Sequence, residues 1–344
     1  MMQVSTATLF AIPRNAVGDL QTQLSKAETE LSTGQVADPV GDLGSQAGLF
    51  QSLQAQTTTL NNIETTNTIA QSNMTAAENA LTSITSDAQN FINTLITAQS
   101  TGSVATLQSQ AQTLLGSLTN TLNTTSGGVY VFGGVNDSVQ PVVDYSQGPQ
   151  AATAAAFQTA FGFSQTSSQV GQITATAMQG FLTGPFANLF SGTNWTTNWS
   201  QASSMPTSVF ISPSQEVTTS VTANDPAFGE LASAYASISD LNIAGLGAST
   251  QQAVITNALN VASAAMSGIG DMQTTLGLSQ SQITNANSQL QSQASFLNTW
   301  AARLGNVDPA QAATQLSNLT TELETAYSLT DRISKLGLVN YLSA

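Results

Sequence analysis

From Leu49 onward the apolar positions recur at alternating steps of four and three: Leu49, Leu53, Leu60, Ile63, Ala70, Met74, Ala77, Leu81, Ile84, Ala88, Phe91 and Leu95, with polar Gln56 and Asn67 the exceptions in the series. A 3.5-residue repeat keeps one stripe of a long helix facing a partner, so the pattern predicts a coiled-coil or bundle seam. At about 1.5 Å per residue, positions 49–95 would form a helix on the order of 70 Å long.

The same step continues in Val104, Leu107, Ala111, Leu114 and Leu118, after an expected break at Thr101-Gly102-Ser103. Upstream it runs through Val17, Leu20, Leu24, Ala27 and Leu31, with Pro13 suited to a first helical turn, where its missing N–H costs nothing. In the last third, Leu276, Ile283, Leu290, Leu297 and Leu304 recur every seven residues, with Ala286 and Trp300 three places after two of them. That helix is expected to stop near Gly305-Asn306, and Asp308-Pro309 reads as an N-cap followed by proline at the first helical position. A final helix then carries Leu316, Leu319, Leu323, Ala326, Leu329, Ile333 and Leu336.

Between these arms the texture changes. Residues 127–235 hold paired glycines, most of the prolines and short β-type runs such as Val129-Tyr130-Val131-Phe132, Val142-Val143-Asp144-Tyr145, Val209-Phe210-Ile211 and the stretch 217–221. The predicted fold class is α+β: an elongated antiparallel helical bundle or coiled-coil rod made by the N- and C-terminal segments, with an inserted β-containing middle domain whose Trp195 and Trp199 supply core. The expected divisions are 1–45 (assembly helix and turn), 46–126 (rod helices), 127–240 (inserted domain), 241–305 (rod helix) and 306–344 (C-terminal assembly helix).

Composition changes this picture in two ways. Only 7% of the 344 residues are charged, so solubility must come from Ser, Thr, Asn and Gln, which are poor helix formers. Propensity alone would not hold such helices, and packing within or between subunits must do so. The first and last helices have the fewest evident partners in the chain, which makes both ends candidates for folding on assembly.

The formal net charge is −14, and no Lys or Arg occurs from 27 to 302. Nucleic acids and anionic membrane surfaces are therefore poor partners, since both are bound by clustered cations. No secretory signal of the cleaved type is visible at the N-terminus, and no unbroken apolar run of roughly 18 residues predicts membrane insertion. The chain is expected to be cytoplasmic or exported by a route that leaves its N-terminus intact.

Candidate chemistry is sparse. Cys and His are absent, which removes thiolate nucleophiles, imidazole bases and the usual zinc ligands. The Gly-rich stretch 127–134 lacks phosphate-loop spacing, and the pairs Glu28/Glu30 and Glu322/Glu324 point to different helix faces. A Ser-Lys arrangement with Lys26 or Lys335 would lie on terminal amphipathic helices rather than in a cleft, and Asp137, Asp144, Asp225 and Asp240 fit no EF-hand loop. No enzyme activity, cofactor or metal is expected. The five cations, Arg14, Lys26, Arg303, Arg332 and Lys335, all lie toward the ends of the chain, where pairing with Glu28, Glu324 or Asp331 of neighbouring helices could set register.

Helical ends, a β-type insert and no evident chemistry together resemble the bacterial flagellin family, which includes the proteins that join hook to filament. Residues 24–34, ending Glu30-Leu31-Ser32-Thr33-Gly34, are similar to the family's helix-ending LSTG or LSSG signature, and Asn61-Asn62-Ile63 to its Asn-Ile. Residues 307–316 and 334–342 resemble its C-terminal helix. The ending Leu338-Val339-Asn340-Tyr341-Leu342 and the stretch 128–134 are similar to the junction-type tail and its YxFxG entry. Asp38-Pro39-Val40-Gly41-Asp42 departs from the junction-type PSDDP turn, keeping the proline and one acid, and 140–240 matches no family pattern.

The resemblance implies a structural subunit exported unfolded through the flagellar type III apparatus with a chaperone, without signal cleavage, and assembled outside the cell. Its implied partners are further copies of itself in a ring or helical polymer, other hook-associated proteins and flagellin. The subunit-interface residues would be Val17, Leu20, Leu24, Leu31, Leu316, Leu319, Leu323, Ile333, Leu336, Leu338, Tyr341 and Leu342. Competing readings are a filament flagellin proper, an extracellular adhesin favoured by the Ser/Thr/Asn surface, and, least supported, a hydrolase working without His or Cys.

Overall fold

The structure is a computed structural model that describes residues 6–342, with side chains over 11–333 apart from Pro13, and Lys335. In chain order the helices are α1 (Thr6–Thr33), α2 (Pro39–Leu43), α3 (Ala47–Thr101), α4 (Leu107–Leu122), α5 (Pro149–Phe161), α6 (Ala175–Phe181), α7 (Ala187–Leu189), α8 (Gly192–Asn198), α9 (Pro226–Ser239), α10 (Ala248–Gly305) and α11 (Pro309–Leu342). Two antiparallel hairpins complete it: β1 (Thr125–Ser126) with β2 (Val129–Tyr130), and β3 (Ser208–Ser212) with β4 (Gln215–Thr218). The architecture is thus helical at both ends with small β elements in the middle. The chain forms two compact units, residues 1–62 with 289–344 and residues 63–288.

In the 63–288 unit, the 3.5-residue seam of α3 packs as its spacing predicts. Ala70, Met74, Ala77, Leu81, Ile84, Ala88, Phe91 and Leu95 are all buried, facing Ile255, Ala258, Ala262, Ala265, Ile269, Leu276 and Ile283 of α10 in one core. The two helices run antiparallel, and amide and hydroxyl bonds rather than ion pairs flank the seam. Gln71 donates to Thr284 at 3.1 Å, Gln280 to Glu78 at 3.1 Å, and Gln99 to Thr256 at 3.1 Å. Buried Asn67, the polar exception in the seam, donates to the Asn287 Oδ1 at 2.6 Å and to the carbonyl of Ile211 in β3 at 3.2 Å. A buried amide in an apolar seam fixes register, because sliding either helix strands it.

The dense threonines of the helix faces are satisfied locally. Thr68, Thr75, Thr82, Thr94 and Thr97 each donate to the carbonyl four residues back, so their hydroxyls are satisfied without a partner helix. The expected break falls where Gly102 follows α3, and Leu107, Ala111 and Leu118 of α4 are buried beside α9.

The middle segment is more helical than its sequence predicts. Val142-Val143-Asp144-Tyr145 forms no strand: Val142 makes a single bridge to Ser200, and Tyr145 begins a short 3-10 turn. The remaining β runs give only the two hairpins. Its core is aromatic, with Phe157, Phe161 and Phe181 in mutual contact and Trp195 stacked on Trp199 at 5.1 Å. The Trp195 indole N–H donates to the Ala223 carbonyl at 2.9 Å. Pro185 sits in a π-turn at Leu182–Phe186, where the wider turn absorbs a residue that cannot donate. By length and composition α10 is apolar enough to cross a bilayer, but its apolar residues, Val254 to Ile269 among them, face the unit's core.

Candidate assembly surface

The surface that the sequence singles out lies in the unit of residues 1–62 and 289–344. Two turns organise it. The first ends α1: Gly34 closes the helix with its N–H on the Glu30 carbonyl at 2.8 Å and takes a positive φ of 71°, a conformation that favours glycine. The second separates α10 from α11, where Asp308 caps the last helix by accepting from the Ala310 N–H at 2.8 Å and Pro309 takes the first position.

These turns are joined backbone to backbone. The Val307 N–H donates to the Gly34 carbonyl at 3.1 Å, the Val36 N–H to the Gly305 carbonyl at 2.9 Å, and Gln35 bridges Asn306. Gly305 also lies flat against the Phe50 ring, where a Cβ would collide with it. Phe50, Leu53 and Ala301 form a small buried cluster with Leu43, Leu297 and Leu304 around them. The seam of α3 therefore shifts at its start: Phe50 packs inward and Leu49 is left exposed.

From these turns α1 and α11 run antiparallel against each other. The Gln21 amide donates to the Tyr327 hydroxyl at 2.7 Å. The sequence expects the first and last helices to have few partners within the chain; in the structure each has the other. One layer of contact is all it gives. Ala27, Ala312 and Leu319 are buried, while Val17, Leu20, Leu24, Leu316, Leu323, Ala326 and Ile333 are only half-covered. Leu31 stays 37% exposed, Tyr327 48% and Leu329 53%. The side chains of Leu336, Leu338, Tyr341 and Leu342 lie outside the described residues.

Charge plays a small part. Lys26 pairs with Asp42 at 2.7 Å, and that hydrogen bond, more than the surrounding carboxylates, raises the lysine pKa above its ordinary value. Lys335 pairs with Asp331 one turn away in its own helix. Glu30 is buried and accepts from the Ala37 N–H at 3.3 Å, helping to hold the turn after α1.

Sequence reasoning missed one feature. Trp300, counted in the α10 seam, is 46% exposed, and Phe296 beside it is 63% exposed, the two rings 5.6 Å apart. Their four-residue spacing off the heptad of Leu290, Leu297 and Leu304 was the available signal.

The bacterial flagellin N-terminal helical region matches residues 4–137, and the bacterial flagellin C-terminal helical region matches residues 259–342. The chain belongs to the bacterial flagellin family. Among solved structures it is similar to a protein provisionally designated flagellar hook-associated, from Vibrio parahaemolyticus, at 9% identity with a TM-score of 0.53, covering 77% of this chain and 99% of that one. At that identity the likeness is one of fold. No curated protein matches the chain. The protein is a structural component of the extracellular bacterial flagellum, from a family of self-assembling subunits rather than enzymes.

Proposed function

We propose that the chain joins the flagellar hook to the filament, polymerising with further copies and with neighbouring flagellar proteins through α1 and α11. The observation that carries this reading is the half-covered antiparallel pair: Val17, Leu20, Leu24, Leu316, Leu323 and Ile333 bury one edge on each other and leave apolar surface for neighbours. Subunits packed side by side would complete the stripe and bury what one chain leaves in water. Leu31, Leu336, Leu338, Tyr341 and Leu342 extend the same surface in this reading.

The junction role, rather than a filament flagellin, is favoured by the 338–342 ending and the 128–134 stretch. Export through the flagellar type III apparatus with a chaperone agrees with a chain of few charges and no cysteine. Electron microscopy of a strain lacking the protein tests the reading. The expected result is bare hooks with flagellin subunits released into the medium. Hooks carrying normal filaments would overturn it, and so would loss of filament protein itself.

A further inference from the structure

We propose that a groove in the 63–288 unit receives the exposed Phe296, Trp300 and Arg303 face of a second copy of this chain. The groove is made of two clefts of about 780 and 670 Å³ that share Ser204, Asp225, Pro226, Glu230 and Ala264. Its floor is apolar, with Phe190, Trp195 and Val261 in the larger cleft. Its rim is acidic: Asp225 and Glu230 stand where the clefts meet, and Asp271 lines the smaller one.

The choice of occupant follows from charge. The 63–288 unit has ten Asp and Glu and no Lys or Arg, and all five cations of the chain lie in the other unit. Two copies meeting through their 63–288 units would set acid against acid, whereas the same unit against a neighbour's 289–344 segment meets cations. Lys26 and Lys335 are already engaged by Asp42 and Asp331. Arg303 is exposed, makes no ion pair among the described residues, and shares a helix face with Trp300 and Phe296. Spacings of four and seven residues from Phe296 are those by which a helix anchors in an apolar groove. An aromatic pair ending in a cation matches an aromatic-floored groove with an acidic rim in both polarity and order. Glu230 is exposed, but partial desolvation, and after it the neighbouring Asp225, raise its carboxyl pKa, an environment that an incoming guanidinium would offset.

This contact rests on the self-assembly part of the reading above and is independent of the junction role. The test uses the purified full-length chain with a photoreactive benzoylphenylalanine at position 300, mixed as equal isotopically light and heavy copies. Irradiation should give light-to-heavy cross-links mapping to residues 182–233 or 257–275. Arg303→Glu should lower their yield about tenfold, and Glu230→Arg in the same chain should restore it; both side chains are exposed, so the melting temperature should hold. Cross-links confined to one copy, cross-links to other segments, no cross-links, or indifference to Arg303→Glu would each overturn the proposal. Because the assay uses no flagellum, its failure is distinct from the appearance of normal filaments in the deletion strain.

Discussion

Helices α9 and α11 are written in much the same small-residue alphabet, yet they are held in opposite ways. Twelve of the fourteen residues of α9 are buried, enclosed by α3, α4 and α10, with Tyr235 edge-on to Phe91 at 4.9 Å. α11 is more than twice as long and, among its described side chains, buries only Ala312 and Leu319 fully. A helix that is apolar all round belongs in a core, and one with a narrow apolar stripe needs a second surface to complete it. The 63–288 unit thus has an enclosed core of its own, while the paired tail helices, in the function proposed, would be completed by neighbours.

The largest expected effect lies in the self-sufficient unit. Phe91→Ala should lower stability by about 3–5 kcal/mol, the usual cost of emptying a buried aromatic site, read as a fall in the main thermal transition. A loss under about 1 kcal/mol would mean that this core is loosely packed.

Gly305→Ala should come next. The added methyl meets the Phe50 ring, and relieving such overpacking costs about 1–3 kcal/mol. The loss should appear as faster hydrogen exchange at residues 297–304 and 50–53, with α9 unchanged.

Leu323→Asp divides the two regions most sharply. A half-covered site lets the new carboxylate reach water, so the dilute chain should lose no more than about 1–2 kcal/mol, confined to α1 and α11. In an assembled seam the same charge is stranded, and polymer formation should fail while export continues. If the variant instead melts the 63–288 unit, the division is wrong.

The smallest effect is electrostatic. The folded-state pKa of Glu230 lies above its ordinary 4.5, chiefly through partial desolvation and then through Asp225. A raised carboxyl pKa means that ionisation opposes folding. The penalty is absent below the unfolded pKa, grows as pH rises through the folded one, and persists at neutrality. Glu230→Gln should therefore raise stability at pH 7 by under about 1 kcal/mol, given the exposure of the side chain, and the gain should vanish below pH 4.

Much of the helical framework was legible because its signals are local. The step of 3.5 places α3 and α10 opposite each other, and turn and cap chemistry marks the end of α1 at Gly34, the end of α10 at Gly305 and the start of α11 at Asp308-Pro309. Register at the start of α3 was not legible, since Phe50 rather than Leu49 turns inward to meet Gly305, a residue 255 positions away. The middle segment resisted for the same reason. Its β-type runs are short, and contacts remote in sequence, such as Trp195 with Ala223 and Phe157 with Phe181, decide that most of it becomes helix around an aromatic core. The assembly stripe was legible in residue type, but its half-burial was not, because that depends on α1 and α11 finding each other. Trp300 was expected in the α10 seam and instead stands 46% exposed, while Phe296 lay outside the heptad and so outside the expectation.

Hydrogen exchange by mass spectrometry, on the dilute full-length chain and on assembled material isolated from cells, bears most directly on the central claim. In the dilute chain, amides of residues 14–30 and 312–333 should exchange at least a hundredfold faster than those of 228–238, and on assembly they should become as protected as α9. Equal protection of the two regions in the dilute chain, or no gain at α1 and α11 on assembly, would contradict it.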